Sequence, residues 1–375
     1  MHVAVLGAGY AGVAAVRELE TALPDGVDLT LVDERETHLV QHLIHRAVRK
    51  PDLADRLTIP LSELIDRATH RQARVTGIDP DAGEVDLDDG SLSYDVGVVC
   101  LGARTAFYGL PGIEEHATPL KRLSHAGQIR EEFDGVSPGG RVVVGGAGLS
   151  GVQVAGELAA LGHDRSELPH LVLLEQEDRV APAFPASFAA AVADELESRG
   201  VTIRTGATVT GADGDTVELE TGERVGYDQL VWTGGITGGG AMTGERPTVR
   251  ANLRHGERTF AAGDAVRVID ADGQAVPASA QTAVRQADVA ATNAARVVEH
   301  QRDGTGFEPR LERYRFGSLG WVVSVGDGTV ARVGGSELRG STARAVKTTV
   351  AAGYLGQLGD VESAAAFVRE QFGHE

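Results

Sequence analysis

The chain carries the same glycine-rich device twice, and this limits its fold more than any other feature. "MHVAVLGAGYAGVAAVRELE" from Met1 and "VVVGGAGLSGVQVAGELA" from Val142 each read as an apolar strand, a G-x-G-x-x-G turn and the start of a helix. Alignment pairs Gly7, Gly9 and Gly12 with Gly146, Gly148 and Gly151, and then Glu18-Leu19 with Glu157-Leu158. The repeat continues past the turn. "LTLVDERETHLV" from Leu29 matches "LVLLEQEDRVAP" from Leu171, each an apolar strand ending in an acid, Asp33 or Glu175. Each half closes alike, with "YDVGVVCLGA" from Tyr94 and "YDQLVWTGG" from Tyr227. Such a unit brings a helix N-terminus and close backbone up to a pyrophosphate, while the strand-end acid accepts ribose hydroxyls. One copy alone also serves plain strand-helix packing; two in matching contexts predict an α/β chain with two dinucleotide sites.

Asp33 lies 26 residues after Gly7 and Glu175 lies 29 after Gly146, both beyond the usual spacing of about 20. The loops "ALPDG" and "GHDRSELPH" account for the excess. Each acid has a plain alternative as a solvated strand end. An acid at Glu175 repels the 2′-phosphate of NADP, so the second site is expected to prefer NADH.

At 375 residues and 42% hydrophobic content the chain can fill two to three cores. Lys and Arg total 35 against 54 Asp and Glu, a formal charge of −19, which repels nucleic acid over most of the surface. No nucleic-acid partner is expected. Lysine occurs only at Lys50, Lys121 and Lys347, and acid is spread along the chain; this pattern points to a halophilic solvation strategy. The single Cys100 excludes an internal disulfide and a dithiol redox pair. It fits a reducing cytoplasm and reads as an inert buried thiol. The sequence opens directly into a strand, so no signal peptide is expected, and no run approaches the roughly 20 apolar residues of a membrane span. Trp232 and Trp321 read as core or rim residues, and no histidine-carboxylate grouping has metal-ligand spacing, so no metal is expected.

"TFAAGDAVRVIDADGQAVPASAQTAVRQADVAATNAARVVEH" adds a short strand into Gly263-Asp264, a loop and a helix from about Ser279. A first domain completed by such a segment, with a second unit inserted, is the layout of two-dinucleotide flavoproteins. The whole chain resembles the type II NADH dehydrogenases, single-subunit and non-proton-pumping NADH:quinone oxidoreductases of the pyridine nucleotide-disulfide oxidoreductase superfamily. "VAVLGAGYAG", "DVGVVCLGARTAFYGLPGIEEHATPLKRL", "VVVGGAGLSG", "LVWTGG", "TFAAGD", "AQTAVRQ" and "YRFGSLGWVVSVGDGTVARVGG" carry the likeness, in the family's order, over residues 1 to about 335. The last two are the most specific.

The resemblance implies two Rossmann-like domains: an FAD domain in two parts, 1–115 and 241–315, an inserted NADH domain, 116–240, and a C-terminal strand and helix region, 316–375. It places FAD on Gly7, Gly9, Gly12 and Asp33, with Asp264 at the ribityl or phosphate region, and NADH on Gly146, Gly148, Gly151 and Glu175. Cofactor contacts are expected to extend to Tyr10, Ala11, Glu34, Gly102, Ala103, Gly234, Gly263, Ala280 and Gln281. The implied activity is hydride transfer from NADH to FAD followed by two-electron reduction of a quinone or another small acceptor. His42 and His45 are then read as flavin-adjacent or surface residues.

The family's quinone-side segment corresponds to Ala280, Gln281, Ala283 and Gln286. Two glutamines five positions apart lie about 140° apart on a helix, so one ligand cannot engage both unless the first is in the loop. Gln281 is favoured as the quinone-side residue, and Gln286 is left open between ligand and structure. Arg285 and Lys347 could place positive charge near the reduced acceptor, and Gln281, Gln153 and Lys347 are the catalytic candidates. Gln153 is a departure, because many relatives have glutamate there. The C-terminus is another, since relatives often carry strongly apolar helices. "STARAVKTTVAAGYLGQL", with Val346, Val350, Tyr354 and Leu358 at helical spacing beside Arg339, Arg344 and Lys347, admits a peripheral anchor on the inner membrane face, a homodimer contact or a cover for the flavin domain. The final "DVESAAAFVREQFGHE" reads as a short amphipathic helix. Cys100 excludes the dithiol and sulfide:quinone branches. A reductase of a soluble electron carrier and an NADH-binding redox sensor remain as alternatives.

Overall fold

The computed structural model describes residues 1–163, 168–304, 306–318 and 320–357. Part of the loop after Gly162, Leu358, the Tyr354 side chain and the final amphipathic segment lie outside the described residues. The chain divides into two units. One comprises Met1–Val40, Thr58–Arg104 and Ile236–Gly317; the other comprises Gln41–Leu57, Thr105–Gly235 and Ser318–Glu375.

The first unit is built on a five-stranded parallel sheet in the order Thr259–Ala261, Val96–Val99, His2–Leu6, Asp28–Asp33 and Thr69–Gln72. Val3, Val5, Leu6, Leu31, Val98 and Phe260 are almost wholly enclosed. Continuous apolar strands of this kind belong to sheets covered on both faces. The helix Tyr10–Ala22 packs against the helix Ala280–Asp303, and the latter is alanine-rich where it is buried, at Ala283, Ala287, Ala290, Ala291 and Ala294.

The second unit repeats this plan. Its parallel sheet runs Thr118–Pro119, Gln229–Trp232, Arg141–Gly145, His170–Leu174 and Thr202–Arg204. Small details recur. The Asp of each "YD" pair accepts the first N–H of the strand that leads into its unit's glycine turn, Asp95 from His2 at 2.8 Å and Asp228 from Arg141 at 2.7 Å. Each unit also carries a three-stranded antiparallel meander, Val75–Asp79 to Ser93 and Val209–Ala212 to Gly226, with a register shift next to Gly77 in one and Gly211 in the other.

The second unit adds an antiparallel sheet, Trp321–Val325, Gly328–Val333 and Ser336–Arg339, followed by the helix Gly340–Gln357. Its first hairpin lies against the helix Leu149–Gly162 so closely that a Cβ on Gly156 would stand 2.5 Å from the Gly326 nitrogen. This contact buries the helix nearly all round. Glu157 is therefore 1% exposed, while its repeat partner Glu18 is exposed. No helix of the described residues is long and apolar enough to cross a membrane.

Candidate functional site: two dinucleotide cradles

Each cradle begins with a backbone conformation only glycine adopts freely. Gly7 has φ +101° and Gly146 φ +89°, and their N–H groups donate to Val32 O and Leu174 O at 2.7 and 2.8 Å. The chain then turns onto the helix with no room to spare at the third glycine. A Cβ on Gly12 would meet Gly7 O at 1.7 Å, and one on Gly151 would meet Gly146 O at 1.9 Å. The middle glycines differ. Around Gly9 and Gly148 no described atom lies within 4 Å of an added Cβ. Both are extended N-cap residues without a side-chain cap, so the first helical N–H groups face open space that suits an anionic phosphate.

The strand-end acids are fixed identically. Asp33 Oδ2 accepts from Ala8 N at 2.7 Å and Oδ1 from Arg35 N at 2.9 Å. Glu175 Oε2 accepts from Ala147 N at 2.7 Å and Oε1 from Glu177 N at 3.0 Å. Neither is a plain solvated strand end. Each ties the residue between the first two glycines to the neighbouring strand, and each oxygen keeps a lone pair for a ribose hydroxyl. In the first cradle His38 is wholly buried, with Nδ1 2.9 Å from Ala8 O and its ring edge-on to Tyr10 at 5.3 Å. Burial holds its imidazole below the usual range. Glu34 pairs with Arg74 at 2.9 Å. Gly102 has φ +67° with open space beside it, and Ala103 is half-buried.

The loop after Thr259–Ala261 completes the first unit. Gly263 has φ +72°, and a Cβ added to it would lie 3.1 Å from the Ala11 side chain. Arg246 donates to the carbonyls of Asp264 at 2.6 Å and Val266 at 3.0 Å, and the Asp264 carboxylate has no hydrogen-bond partner among the described residues. Gln286, 3% exposed, turns its Oε1 onto Gly263 N at 2.8 Å. Ser279 caps the following helix in a reciprocal box with Thr282. Ala280 and Gln281 thus open that helix, both half-buried. The two glutamines part as their helical spacing requires: Gln286 faces inward to the Gly263 turn, and Gln281 has no partner among the described residues.

In the second unit, Gly234 lies beside the cradle, its Cα 2.7 Å from a Cβ placed on Gly146. Thr233 Oγ1 donates to Gly145 O and Gly146 O at 3.0 and 2.9 Å. Trp232 is core, its Nε1 donating to Ala106 O at 2.8 Å. Trp321 packs edge-on against Phe184 at 4.9 Å. Gln153 is half-buried in the first turns of the helix Leu149–Gly162. Lys347 donates to Ser324 Oγ, and Arg285, in the first unit, to the Gly317 carbonyl. His45 is not a surface residue: it is 1% exposed in the second unit and bonded to Ser324. Cys100 is buried, and burial pushes its thiol far up.

Sequence reasoning missed Arg246, His38 and the Arg49–Glu157 pair. Nothing in "GERPTVR" marks Arg246, whose partners are main-chain carbonyls. His38 is the middle residue of the short strand Thr37–Leu39, and the only signal in "RETHLV" is a polar residue directly before the apolar Leu39-Val40. Among the described residues, no group of three or more His, Cys, Asp and Glu is placed to hold a metal.

The family model described as "Pyridine nucleotide-disulphide oxidoreductase" matches residues 1–287. The "Type II NADH:quinone oxidoreductase" of Staphylococcus aureus (strain NCTC 8325 / PS 47) is 26% identical over 386 residues, covering 93% of each chain. Among solved structures, NDH2 of Plasmodium falciparum in complex with NADH superposes with a TM-score of 0.80 at 14% identity, over 98% of this chain and 97% of that one. The sulfide:quinone oxidoreductase of Aquifex aeolicus gives 0.79 at 17% identity, over 96% and 92%. These two superpositions establish the shared α/β fold.

Proposed function

Because the chain belongs to the pyridine nucleotide-disulphide oxidoreductase family, we propose that it is a type II NADH:quinone oxidoreductase, with FAD held in the first unit and NADH in the second. The observation that carries this reading is the twice-built cradle: an uncapped helix N-terminus, an open middle glycine and an acid fixed to the turn. One such cradle suffices for a protein using one dinucleotide. Two fit a resident cofactor and an exchanging one. The single cysteine leaves no dithiol to carry electrons, and the full-length relative named above acts on NADH and quinone by its name.

The donor set fits FAD: Gly9 admits the pyrophosphate, Asp33 offers lone pairs to the ribose, and the unpartnered Asp264 carboxylate accepts from hydroxyls. FAD, when bound, supplies hydride acceptance from NADH and two-electron delivery to the acceptor; the protein supplies binding and orientation. Gly148 admits the NADH pyrophosphate, and Glu175, an acid fixed in the turn, disfavours a 2′-phosphate. Gln281 presents an amide to a quinone oxygen. Gln153 supplies a hydrogen bond where a carboxyl would also exchange protons, and Lys347 supplies the proton. The acidic surface and single thiol suit a cytoplasmic enzyme working at the membrane face where quinone resides.

Anaerobic rapid mixing tests this. NADH is expected to bleach the visible flavin absorbance within the turnover time, and a water-soluble quinone to restore it. A long-lived charge-transfer band that quinone does not discharge favours a redox sensor, and recovery with ferredoxin but no quinone favours a carrier reductase.

A further inference from the structure

In the second unit the strands Arg141–Gly145, His170–Leu174 and Thr202–Arg204 lie side by side, and the meander Val209–Ala212 to Gly226 packs on one face of their sheet through Val172, Val217 and Val225. Residues of both layers line a cavity of about 340 Å³, within the range of small-ligand pockets, roughly 300–1,000 Å³. Its apolar part is Val172 and Val225, both buried. The cavity stands apart from the dinucleotide cradle. Arg141 and His170 open the strands that lead to Gly146 and Glu175, and five residues of strand span about 16 Å.

The cationic side chains around the cavity fall into two classes. Arg204 is committed to Glu223 through two bonds of 2.8 and 2.6 Å, and Arg224 pairs with Asp213 and donates to Thr216 Oγ1. Each of these pairs is locally neutral. Arg141 makes no ion pair among the described residues: its Nη1 donates to the Gly226 carbonyl at 3.2 Å, and Asp228 is turned to its main-chain N–H. The His170 ring and the Thr202 hydroxyl, on exposed residues, have no hydrogen-bond partner among the described residues. Three donor groups on three adjacent strands are thus uncommitted beside an apolar floor.

We propose that this cavity binds a phosphomonoester, with the phosphate on Arg141, His170 and Thr202 and the apolar body of the ester on Val172 and Val225. Arg141 keeps Nε and Nη2 for a fork onto two phosphate oxygens. The imidazole and the hydroxyl come from the next two strands, spaced about 4.8 Å apart. A carboxylate has two oxygens for these three donor groups, whereas a phosphate has three. Inorganic phosphate alone would leave the valine floor bare, which favours an ester. The chain's charge of −19 repels anions from most of its surface, so the affinity comes from these donors and not from a general attraction. Glu223 and Asp213 do not oppose the ligand, because each is matched by its own arginine.

Calorimetry of the holoenzyme with phenyl phosphate and with inorganic phosphate tests this. Phenyl phosphate is expected to bind about tenfold more tightly than inorganic phosphate, since its ring buries apolar surface. It should bind equally well with and without saturating NAD+, since the cradle lies elsewhere. Arg141→Gln and His170→Gln should each weaken it by about tenfold or more, the loss of a hydrogen bond to a charged group. NAD+ binding should be unchanged in both variants, which reports that they are folded. No binding at millimolar phenyl phosphate, an affinity indifferent to either substitution, or displacement by NAD+ overturns the proposal. Failure of NAD+ to bind the wild-type protein counts against the NADH:quinone reading instead, and leaves the two substitutions to decide this site.

Discussion

The carboxylate of Glu175 and the backbone N–H of Ala147 meet at 2.7 Å inside the second glycine turn. The buried acid thus shapes the turn and keeps lone pairs at its mouth. Glu175→Ala removes both the fixed acceptor and the negative charge. We expect kcat/KM for NADH to fall by roughly 10- to 100-fold, the loss of a hydrogen bond to a charged group, while the NADPH-to-NADH ratio rises. Steady-state kinetics with both coenzymes checks this; an unchanged ratio places the 2′-position elsewhere.

Gly12 and Gly151 are closed positions. A Cβ at either collides with main-chain oxygen at under 2 Å, and backbone cannot yield cheaply. Gly12→Ala and Gly151→Ala are each expected to cost about 1–3 kcal/mol or more, the range for overpacking, in denaturant unfolding.

Gln286 and Gln281 should separate by assay. Gln286→Leu frees Gly263 N and leaves a buried donor unpaired, so FAD dissociation should quicken by about tenfold. Gln281→Ala should leave FAD retention intact and raise the KM for quinone. Fluorescence of released FAD and quinone kinetics distinguish them, and the reverse pattern refutes the assignment.

His38 and His45 give an acid-side signature. Both are held below the ordinary 6.5 by burial, so the unfolded chain binds protons that the folded one refuses. Their stabilising contribution is full above 6.5 and is lost as pH falls below it. The unfolding midpoint should drop on acidification through this window, and His38→Gln should flatten the drop. A variant as acid-sensitive as wild type contradicts it. Separately, Arg49→Met strands the buried Glu157 charge and should cost about 3–5 kcal/mol.

Local pattern made the two cradles legible. The turn glycines, strand-end acids and "YD" closures all act on residues a few positions away or on the adjacent parallel strand. Even the shared register shift at Gly77 and Gly211 follows the repeat. What sequence could not reveal was set by distant packing. Glu18 and Glu157 align perfectly, yet the hairpin after Trp321 covers only the second. That one contact turns a solvated helix face into a buried ionic cluster and draws His45 into it from 279 residues away along the chain. Gln286 was undecidable for a related reason: its partner is a main-chain N–H, which no motif encodes.

The division of labour between the cradles is tested most directly by paired substitution of the open glycines. Gly9→Ala and Gly148→Ala each put a methyl group where no described atom stands within 4 Å, so both chains should fold and only ligand approach should suffer. Gly9→Ala should purify without yellow colour yet still bind NADH by calorimetry, and Gly148→Ala should stay yellow but resist bleaching by NADH. If both variants lose the same nucleotide, or neither loses one, the assignment of FAD to the first unit and NADH to the second is wrong.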